Sequence, residues 1–144
     1  MMTMRQCQLC SKQLTNRYSY YCNNKCQMDY QYYSYISEWR KNKVTGVIGI
    51  NTKSISGHVE RYLNTRYGKC CALCSWNQVN PITGRVPLEI DHIDGDSENN
   101  TASNLRMICP NCHALNTSYR NLNTGKGRSW RRLKYIKVIK ITPP

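Results

Sequence analysis

The chain has 144 residues, with 21 Lys and Arg against 8 Asp and Glu, and a formal net charge of +13. This length allows one ordinary domain or two small ones. The absence of Phe and the predominance of Tyr among the aromatic residues argue against a large dry core. No stretch reaches the length of a membrane helix, and the N-terminus has no apolar run, so we expect no signal peptide and a cytoplasmic protein.

The acidic residues are concentrated in one short segment. Five of the eight lie between positions 89 and 98, and the remainder of the chain is almost entirely basic. These five are Glu89, Asp91, Asp94, Asp96 and Glu98. Such a distribution predicts a nucleic-acid partner, with a small acidic spot where a cation would bind. Basic charge alone would also suit an anionic membrane surface.

Two cysteine pairs near the N-terminus predict a metal site. Cys7 and Cys10 are followed by Cys22 and Cys26, and nine cysteines in an intracellular chain favour zinc over disulfides. Two close pairs separated by a short loop suit tetrahedral zinc, with a structural role. The pattern resembles small treble-clef or knuckle-type zinc fingers.

Residues 24–41 are predicted to form an amphipathic helix. Met28, Tyr32, Tyr35 and Trp39 recur at helical spacing. We expect this stripe to pack on the finger or on the second domain, with base stacking as the alternative. Residues 42–57 are rich in Asn, Thr, Ser and Gly and are interpreted as a linker.

A second helix is predicted over residues 58–67, with Ser56 as a candidate cap. Val59, Tyr62 and Leu63 form its apolar side, and Gly68 ends it. Within the preceding linker, Val47, Ile48 and Ile50 are compatible with a short strand. His58 has no partner nearby in sequence, so we expect a surface or capping residue and not a ligand.

A second four-cysteine zinc site is predicted from two C-x-x-C pairs. Cys71 and Cys74 pair naturally with Cys109 and Cys112, and a closed four-sulfur site leaves no open position for substrate. Cys70 is left over as a buried or free thiol.

Between those pairs the order of predicted elements is strand, strand, helix. Residues 88–93 alternate in hydropathy and lead into the turn of residues 94–96, and residues 105–108 form the second strand. Residues 111 to about 120 are predicted to be helical, with His113 and Asn116 on one face.

Four residues of this segment have the types that phosphodiester hydrolysis requires: Asp91, His92, Asn104 and His113. Histidine is the side chain whose ordinary pKa suits a base at neutral pH. A carboxylate suits a hard divalent ion that offsets charge on the phosphate. Neighbouring strand residues point to opposite faces, so one of Asp91 and His92 is a natural ligand and the other a natural base.

The segment from about Lys69 to Tyr119 resembles the HNH endonuclease family and its ββα-metal motif, notably the free-standing or homing-type enzymes of phages. The resemblance implies that His92 is the general base, that Asp91 and His113 bind the catalytic ion, and that Asn104 orients the loop or the base. Asn116 is the candidate third ligand. The implied ion is Mg²⁺ or Mn²⁺, with Zn²⁺ or Ni²⁺ as alternatives, and the implied products carry a 5′ phosphate and a 3′ hydroxyl.

Other interpretations of these residues compete with this one. The carboxylates around Gly95 could form a calcium loop, but the Glu expected twelve places into such a loop is missing. His113 could be a spare zinc ligand. The main competing class is a non-catalytic, zinc-stabilised DNA-binding protein, and a structured-RNA binder or RNase is a further one.

From Arg120 to Pro144 there are eight Lys or Arg and no acidic residue. We interpret this segment as an arm for the DNA backbone, against the alternative of a solvated tail whose apolar side packs on the domain. The candidate DNA-binding residues are Arg120, Lys126, Arg128, Arg131 and Arg132.

Together these observations predict a small zinc-stabilised α+β protein with two structural Zn²⁺ ions, one catalytic divalent ion and a double-stranded DNA partner. The predicted domains are a zinc finger plus helix at 1–43, a linker at 44–57, an HNH nuclease domain at 58–120 and a basic DNA-binding arm at 121–144. Nothing in the sequence chooses between monomer and dimer.

Overall fold

The computed structural model describes residues 5–49, 54–123, 126, 127 and 129. The chain divides into two compact units, Met1–Thr45 and Gly46–Pro144, each considered by itself. Within the described residues, no helix combines the length and apolar character needed to cross a membrane.

The first unit contains a small loop and one long helix. A single antiparallel bridge joins Gln6 to Gln13. Helix α1 spans Asn24–Arg40, as the sequence predicts. It begins where the Asn23 side chain accepts a hydrogen bond from the Cys26 backbone N–H at 2.8 Å, which satisfies one of the free donors of the first turn.

The buried side of α1 consists of Tyr32, Ile36 and Trp39. These residues are spaced by four and three positions, which places them on one face of a helix. The predicted stripe is therefore correct at Tyr32 and Trp39 but not at Met28, which is 64% exposed. Between Tyr32 and Trp39 in sequence, the buried residue is Ile36 and not the predicted Tyr35.

The second unit begins with a short hairpin inside the predicted linker. Strand β1, Val47–Ile48, pairs antiparallel with β2, Ser54–Ile55. Ile50 lies outside the described residues. Helix α2 then spans Gly57–Arg66, and its cap is Ser56 as predicted, because the Ser56 Oγ accepts from the Val59 N–H at 3.3 Å.

The two predicted strands of the hairpin are both present. Strand β3 spans Glu89–His92 and pairs antiparallel with β4, Leu105–Ile108. In this register Asp91 faces Arg106, and His92 faces Leu105. Because alternate residues share a face of a strand, Glu89 and Asp91 point to one side of the hairpin and His92 to the other.

Helix α3 spans Pro110–Ala114, so the predicted extension to about residue 120 is wrong. Pro110 starts the helix at a position where a missing N–H has no cost. The chain beyond it consists of turns and a 3₁₀-helix at Arg120–Asn123. Residues 116–118 are Asn, Thr and Ser, whose side chains compete with helical backbone hydrogen bonds, and this shortens the helix.

The core of the second unit lies between β4, α2 and the second cysteine group. Leu105 and Ile108 of β4 are fully buried, as are Val59 and Leu63 of α2. The hydroxyl of Tyr67, just after α2, donates a hydrogen bond to the Leu105 carbonyl at 3.4 Å. The predicted fold class is confirmed: the protein is a small α+β chain with two four-cysteine clusters.

Candidate active site and cysteine clusters

The second cysteine group brings together the loop before the hairpin and the start of α3. Its four sulfur atoms lie within 4.8 Å of one another, and the Cys74 and Cys109 sulfurs are 3.8 Å apart. A tetrahedron with metal–sulfur bonds of about 2.3 Å has edges of about 3.8 Å, so the group fits zinc. The complete group is Cys71, Cys74, Cys109 and Cys112.

The first cysteine group has the same geometry. The Cys22 sulfur lies 3.6 Å from that of Cys10 and 3.4 Å from that of Cys26, and the Cys10 and Cys26 sulfurs are 3.8 Å apart. Cys7 completes the set. All nine cysteines of the chain are free, so neither group consists of disulfides. Both predicted four-cysteine sets are thus confirmed as groups that could hold zinc.

Hydrogen bonds lower the pKa of one thiol in the second cysteine group and raise the pKa of another. Burial raises the pKa of Cys71, but the backbone N–H groups of residues 109, 74 and 73 outweigh it and lower that pKa to about 6. The hydrogen bond with Cys74 raises the pKa of Cys112 to about 12. Four thiolates this close repel one another, so a cation is needed for all of them to ionise together.

The ninth cysteine lies outside both groups. The Cys70 thiol donates to the carbonyl of Tyr67 at 2.8 Å. This agrees with its prediction as a leftover thiol and makes it a natural control for the ligand cysteines.

Asp91 is a buried carboxylate with two donors. Its side chain is 4% exposed, and the Arg106 Nε donates to its Oδ2 at 2.7 Å. The Asn116 Nδ2 lies 2.9 Å from Oδ1 and 3.0 Å from Oδ2. These contacts balance the buried negative charge, which would otherwise be costly.

His113 of α3 faces the same side of β3. Its Nδ1 makes a short contact with the Glu89 carboxylate, and its ring meets that of Tyr119 edge-on, with centroids 5.3 Å apart. Asn116 lies beyond the end of α3 and not on its face as predicted, but its side chain contacts Asp91 while that of His113 contacts Glu89. Two carboxylates, an imidazole and an amide therefore converge on one face of the hairpin.

These four side chains do not form a compact cluster of the cysteine kind. Among the described residues, the sets of three or more Cys, His, Asp or Glu ligand atoms within 4.8 Å of one another are the two cysteine groups. The donor types still suit a divalent ion, because carboxylate oxygens and an imidazole nitrogen bind Mg²⁺, Mn²⁺ and their relatives. A carboxylate on the Nδ1 of His113 is also the usual support of a ligand histidine.

His92 ends β3 and turns to the loop on the other face. Its Nε2 lies 2.8 Å from the Oδ1 of Asn100, a buried side chain that the sequence analysis did not single out. His92 and Asp91 were predicted to point to opposite faces of the strand, and their separate partners are consistent with this.

Asn104 makes three hydrogen bonds within the loop, and its role in orienting the loop or the base stays a prediction. Its Nδ2 donates to the Asp94 Oδ1 and to the Asn99 carbonyl, both at 2.8 Å, and its Oδ1 accepts from the Asp94 N–H at 3.1 Å. Burial raises the pKa of Asp94, but the hydrogen bonds from Asn104, Asn99 and the Asp96 N–H outweigh it and lower the pKa.

The beginning of the basic arm contacts this loop. The Lys126 Nζ donates to the Asp94 carbonyl at 3.3 Å, and the Ser129 N–H and Oγ both donate to the Glu98 Oε1 at 2.8 Å. The guanidinium of Arg120 lies 4.9 Å from the centroid of the Tyr119 ring. The other candidate DNA-binding residues, Arg128, Arg131 and Arg132, lie outside the described residues.

Three residues of this site were missed by the sequence analysis as contributors. Glu89 carried a usable signal, because it precedes Asp91 by two and so shares its face. Arg106 could be predicted as the partner of Asp91 only from the register of the hairpin, which places the two residues opposite each other. Nothing in the local sequence distinguishes Asn100 from Asn99 as the partner of His92.

Comparison with known proteins agrees with this geometry. Residues 71–118 match the HNH endonuclease family. Over 60 residues, or 40% of this chain, the sequence is 42% identical to the H-N-H endonuclease F-TflIV of Escherichia phage T5. The chain covers 24% of that relative's length. No solved structure matches the chain. The matched residues include the second cysteine group, the β3–β4 hairpin and α3, so this segment is similar to an HNH endonuclease domain.

Proposed function

We propose that this protein is a metal-dependent DNA endonuclease of the phage HNH type, which hydrolyses phosphodiester bonds at the β3–β4–α3 unit. The match of residues 71–118 to the HNH endonuclease family carries the proposal. Asp91, His92 and His113 supply the residue types that the reaction requires within this segment.

His92 is the proposed general base. It removes a proton from a water molecule, and the resulting hydroxide attacks phosphorus in line with the leaving oxygen. A new phosphorus–oxygen bond forms and the bond to the 3′ oxygen breaks. The leaving 3′ oxygen takes a proton from solvent, which gives a 5′ phosphate and a 3′ hydroxyl. The position of His92 at the end of β3, half-buried and hydrogen-bonded through Nε2, supports this role.

Asp91 and His113 are the proposed residues that hold the catalytic divalent ion, with Asn116 as a third. Glu89 orients His113 through Nδ1, and the Arg106 hydrogen bond holds the Asp91 carboxylate in place. When bound, such an ion offsets negative charge on the phosphate and the leaving oxygen. Mg²⁺ and Mn²⁺ suit the carboxylate, and the imidazole adds affinity for Mn²⁺, Zn²⁺ or Ni²⁺.

The two cysteine groups are the proposed structural zinc sites. Cys71, Cys74, Cys109 and Cys112 would hold the start of the domain against the start of α3, so that His113 is presented to the hairpin. The sulfur spacing supports this, because it matches the edge of a zinc tetrahedron.

Double-stranded DNA is the proposed substrate. The net charge of +13 provides nonspecific attraction to phosphates. The proposed arm at 121–144 begins next to the hairpin, because Lys126 contacts the loop at Asp94. Arg120 and Lys126, followed by Arg128, Arg131 and Arg132, would therefore place the DNA backbone near the site.

One observation favours a second candidate, a non-catalytic DNA-binding protein. The Asp91 carboxylate is already paired with a permanently charged guanidinium, and His113 is paired with Glu89. An ion at this place must share Asp91 with Arg106.

The test is cleavage of supercoiled plasmid by the purified, zinc-loaded chain in Mg²⁺, Mn²⁺ or EDTA. We expect nicked or linear product with the divalent ions and none with EDTA. A parallel assay with a ribo-oligonucleotide of the same sequence and salt separates a DNase from an RNase. The binding protein would be favoured if the plasmid is shifted in a gel but left intact in every ion. Fragments of cellular DNA should then also stay intact.

A further inference from the structure

We propose that Asn100 is a positioning residue that fixes which nitrogen of His92 carries the ring proton. It leaves Nδ1 as the nitrogen that accepts a proton from water. This inference rests on the proposed role of His92 as the general base.

The orientation of the Asn100 amide follows from its own hydrogen bonds. Asn100 is 8% exposed and lies in the loop that joins β3 to β4. Its Nδ2 faces two backbone carbonyls, those of Glu98 at 3.2 Å and Ser97 at 3.5 Å. A reversed amide would set its oxygen against two groups that can only accept. The nitrogen therefore belongs on the carbonyl side, and the oxygen faces His92.

The orientation of the amide decides the tautomer of the imidazole. An amide oxygen only accepts hydrogen bonds, so the His92 Nε2, at 2.8 Å from it, must be the donor. A neutral imidazole has one N–H and one lone pair, and with the proton on Nε2 the lone pair is on Nδ1. The same hydrogen bond restricts rotation of the ring about its Cβ–Cγ bond.

Asn104 supports this arrangement one step away. It donates to the carbonyl of Asn99, the residue immediately before Asn100, at 2.8 Å. It also holds Asp94 at the other end of the turn. The two buried amides thus have different partners: Asn104 holds the loop, and Asn100 holds the His92 ring.

The tautomer is measurable by long-range ¹H–¹⁵N correlation of the histidine rings in the zinc-loaded full chain, in mildly alkaline buffer. The chain has three histidines, so single substitutions assign each ring. We compare wild type with Asn100→Ala, which removes the acceptor, and with Asn100→Asp, which keeps one. Asn99→Ala is the matched control, because it removes a 2.6 Å bond to Asp94 in the same loop without touching His92.

In wild type we expect a single Nε2–H tautomer for His92. Asn100→Ala moves both ring nitrogens toward a mixture of tautomers, whereas Asn100→Asp and Asn99→Ala keep the wild-type pattern. In single-turnover cleavage, Asn100→Ala loses at least about tenfold in rate, a fraction of what a general base contributes, with DNA affinity unchanged.

A proton on Nδ1 in wild type, or identical ring signals in wild type and Asn100→Ala, would overturn the proposal. Equal cleavage rates for those two proteins would do so as well. If wild type cleaves no DNA at all, the proposed function fails, whereas the ring signals still decide the hydrogen-bond assignment. If Asn100→Ala fails to fold, the tautomer in wild type and in Asn100→Asp still tests the proposal, because a proton on the His92 Nδ1 in either protein would overturn it.

Discussion

The two cysteine groups are alike in sulfur geometry, but the chain that each group encloses differs in what it buries. The segment between Cys10 and Cys22 contains one buried residue, the apolar Leu14. The segment between Cys74 and Cys109 buries a carboxylate and two amides, at Asp91, Asn100 and Asn104. Burial of such groups is costly unless each is hydrogen-bonded, and here each one is.

This difference bears on the proposed location of the active site. A four-cysteine group that holds zinc supplements a small hydrophobic core in either unit, so it says little about function by itself. The enclosed polar residues distinguish a region that holds groups at fixed positions from one that only presents a surface. It supports the proposed location of the reaction in the second unit and the proposed structural role of the first cysteine group.

The largest expected effect comes from removing one ligand of each group. Cys112→Ser should abolish folding of the second unit and all cleavage, because the metal supplies much of the stability of so small a core. Cys10→Ser should unfold the first unit alone and leave the circular dichroism signal of the second.

Metal analysis checks this comparison directly. Wild type should hold about two tightly bound zinc ions, one for each group of four cysteines, and each variant should lose one. Cys70→Ser is the control and should keep both. Loss of both ions from either single variant would show that the two units do not fold independently.

A smaller effect is expected at the ion pair of Asp91. Arg106→Ala leaves a buried carboxylate without its cation and should lower the free energy of unfolding by about 3 kcal/mol. In the first unit, Lys25 pairs with Asp29 at the same 2.7 Å, but the lysine is 86% exposed. Lys25→Ala should therefore leave the free energy of unfolding nearly unchanged, because solvent screens such pairs. Urea denaturation that gives equal losses for both variants would contradict the burial argument.

Gly127 tests the contact between the arm and the loop. Its φ is +66°, and an added Cβ would lie 2.4 Å from the Ser97 Oγ and 2.9 Å from the Asp96 Oδ1. Gly84 has nearly the same φ, +64°, but open space around it. Gly84→Ala should cost about 1 kcal/mol from backbone strain alone, and Gly127→Ala should cost more. Equal losses in thermal unfolding would mean that the arm does not pack on the loop.

The smallest effect concerns the acidity of Asp94. Its pKa is depressed in the folded protein, so its stabilising contribution is present above the ordinary Asp value of about 3.9 and is lost as the pH falls through the lower folded value. Asn104→Ala removes the strongest of the bonds that lower this pKa. An NMR titration should therefore find a higher Asp94 pKa in the variant, and an unchanged value would exclude the Asn104 hydrogen bond as its cause.

Much of this architecture could be predicted from local sequence. The period of hydropathy and the capping residues predicted α1, α2, β3 and β4, and the spacing of the cysteines predicted both cysteine groups. Each of these signals acts within a few residues. The helix after Cys109 was predicted too long, because its periodic residues continue past Ala114. The helix instead ends at Ala114, and the Asn116 amide beyond it donates to Asp91 on a different element.

The partners within the site were harder to predict, since they depend on register and loop shape. Arg106 meets Asp91 only because β3 and β4 pair in this register, and a shift of one residue would separate them. Asn99 and Asn100 are the same residue type in the same loop, yet one holds Asp94 and the other His92. Only the path of the backbone between Asp94 and Asn104 distinguishes them.

The most direct test of the account is the cleavage rate of one duplex by His92→Ala, measured beside His58→Ala. His58 is on α2, outside the hairpin, and serves as the matched control for loss of an imidazole. We expect His92→Ala to lose at least about a hundredfold in rate while it keeps its zinc content and DNA affinity, and His58→Ala to cleave like wild type. Wild-type cleavage by a purified His92→Ala protein would contradict the assignment of the reaction to this hairpin.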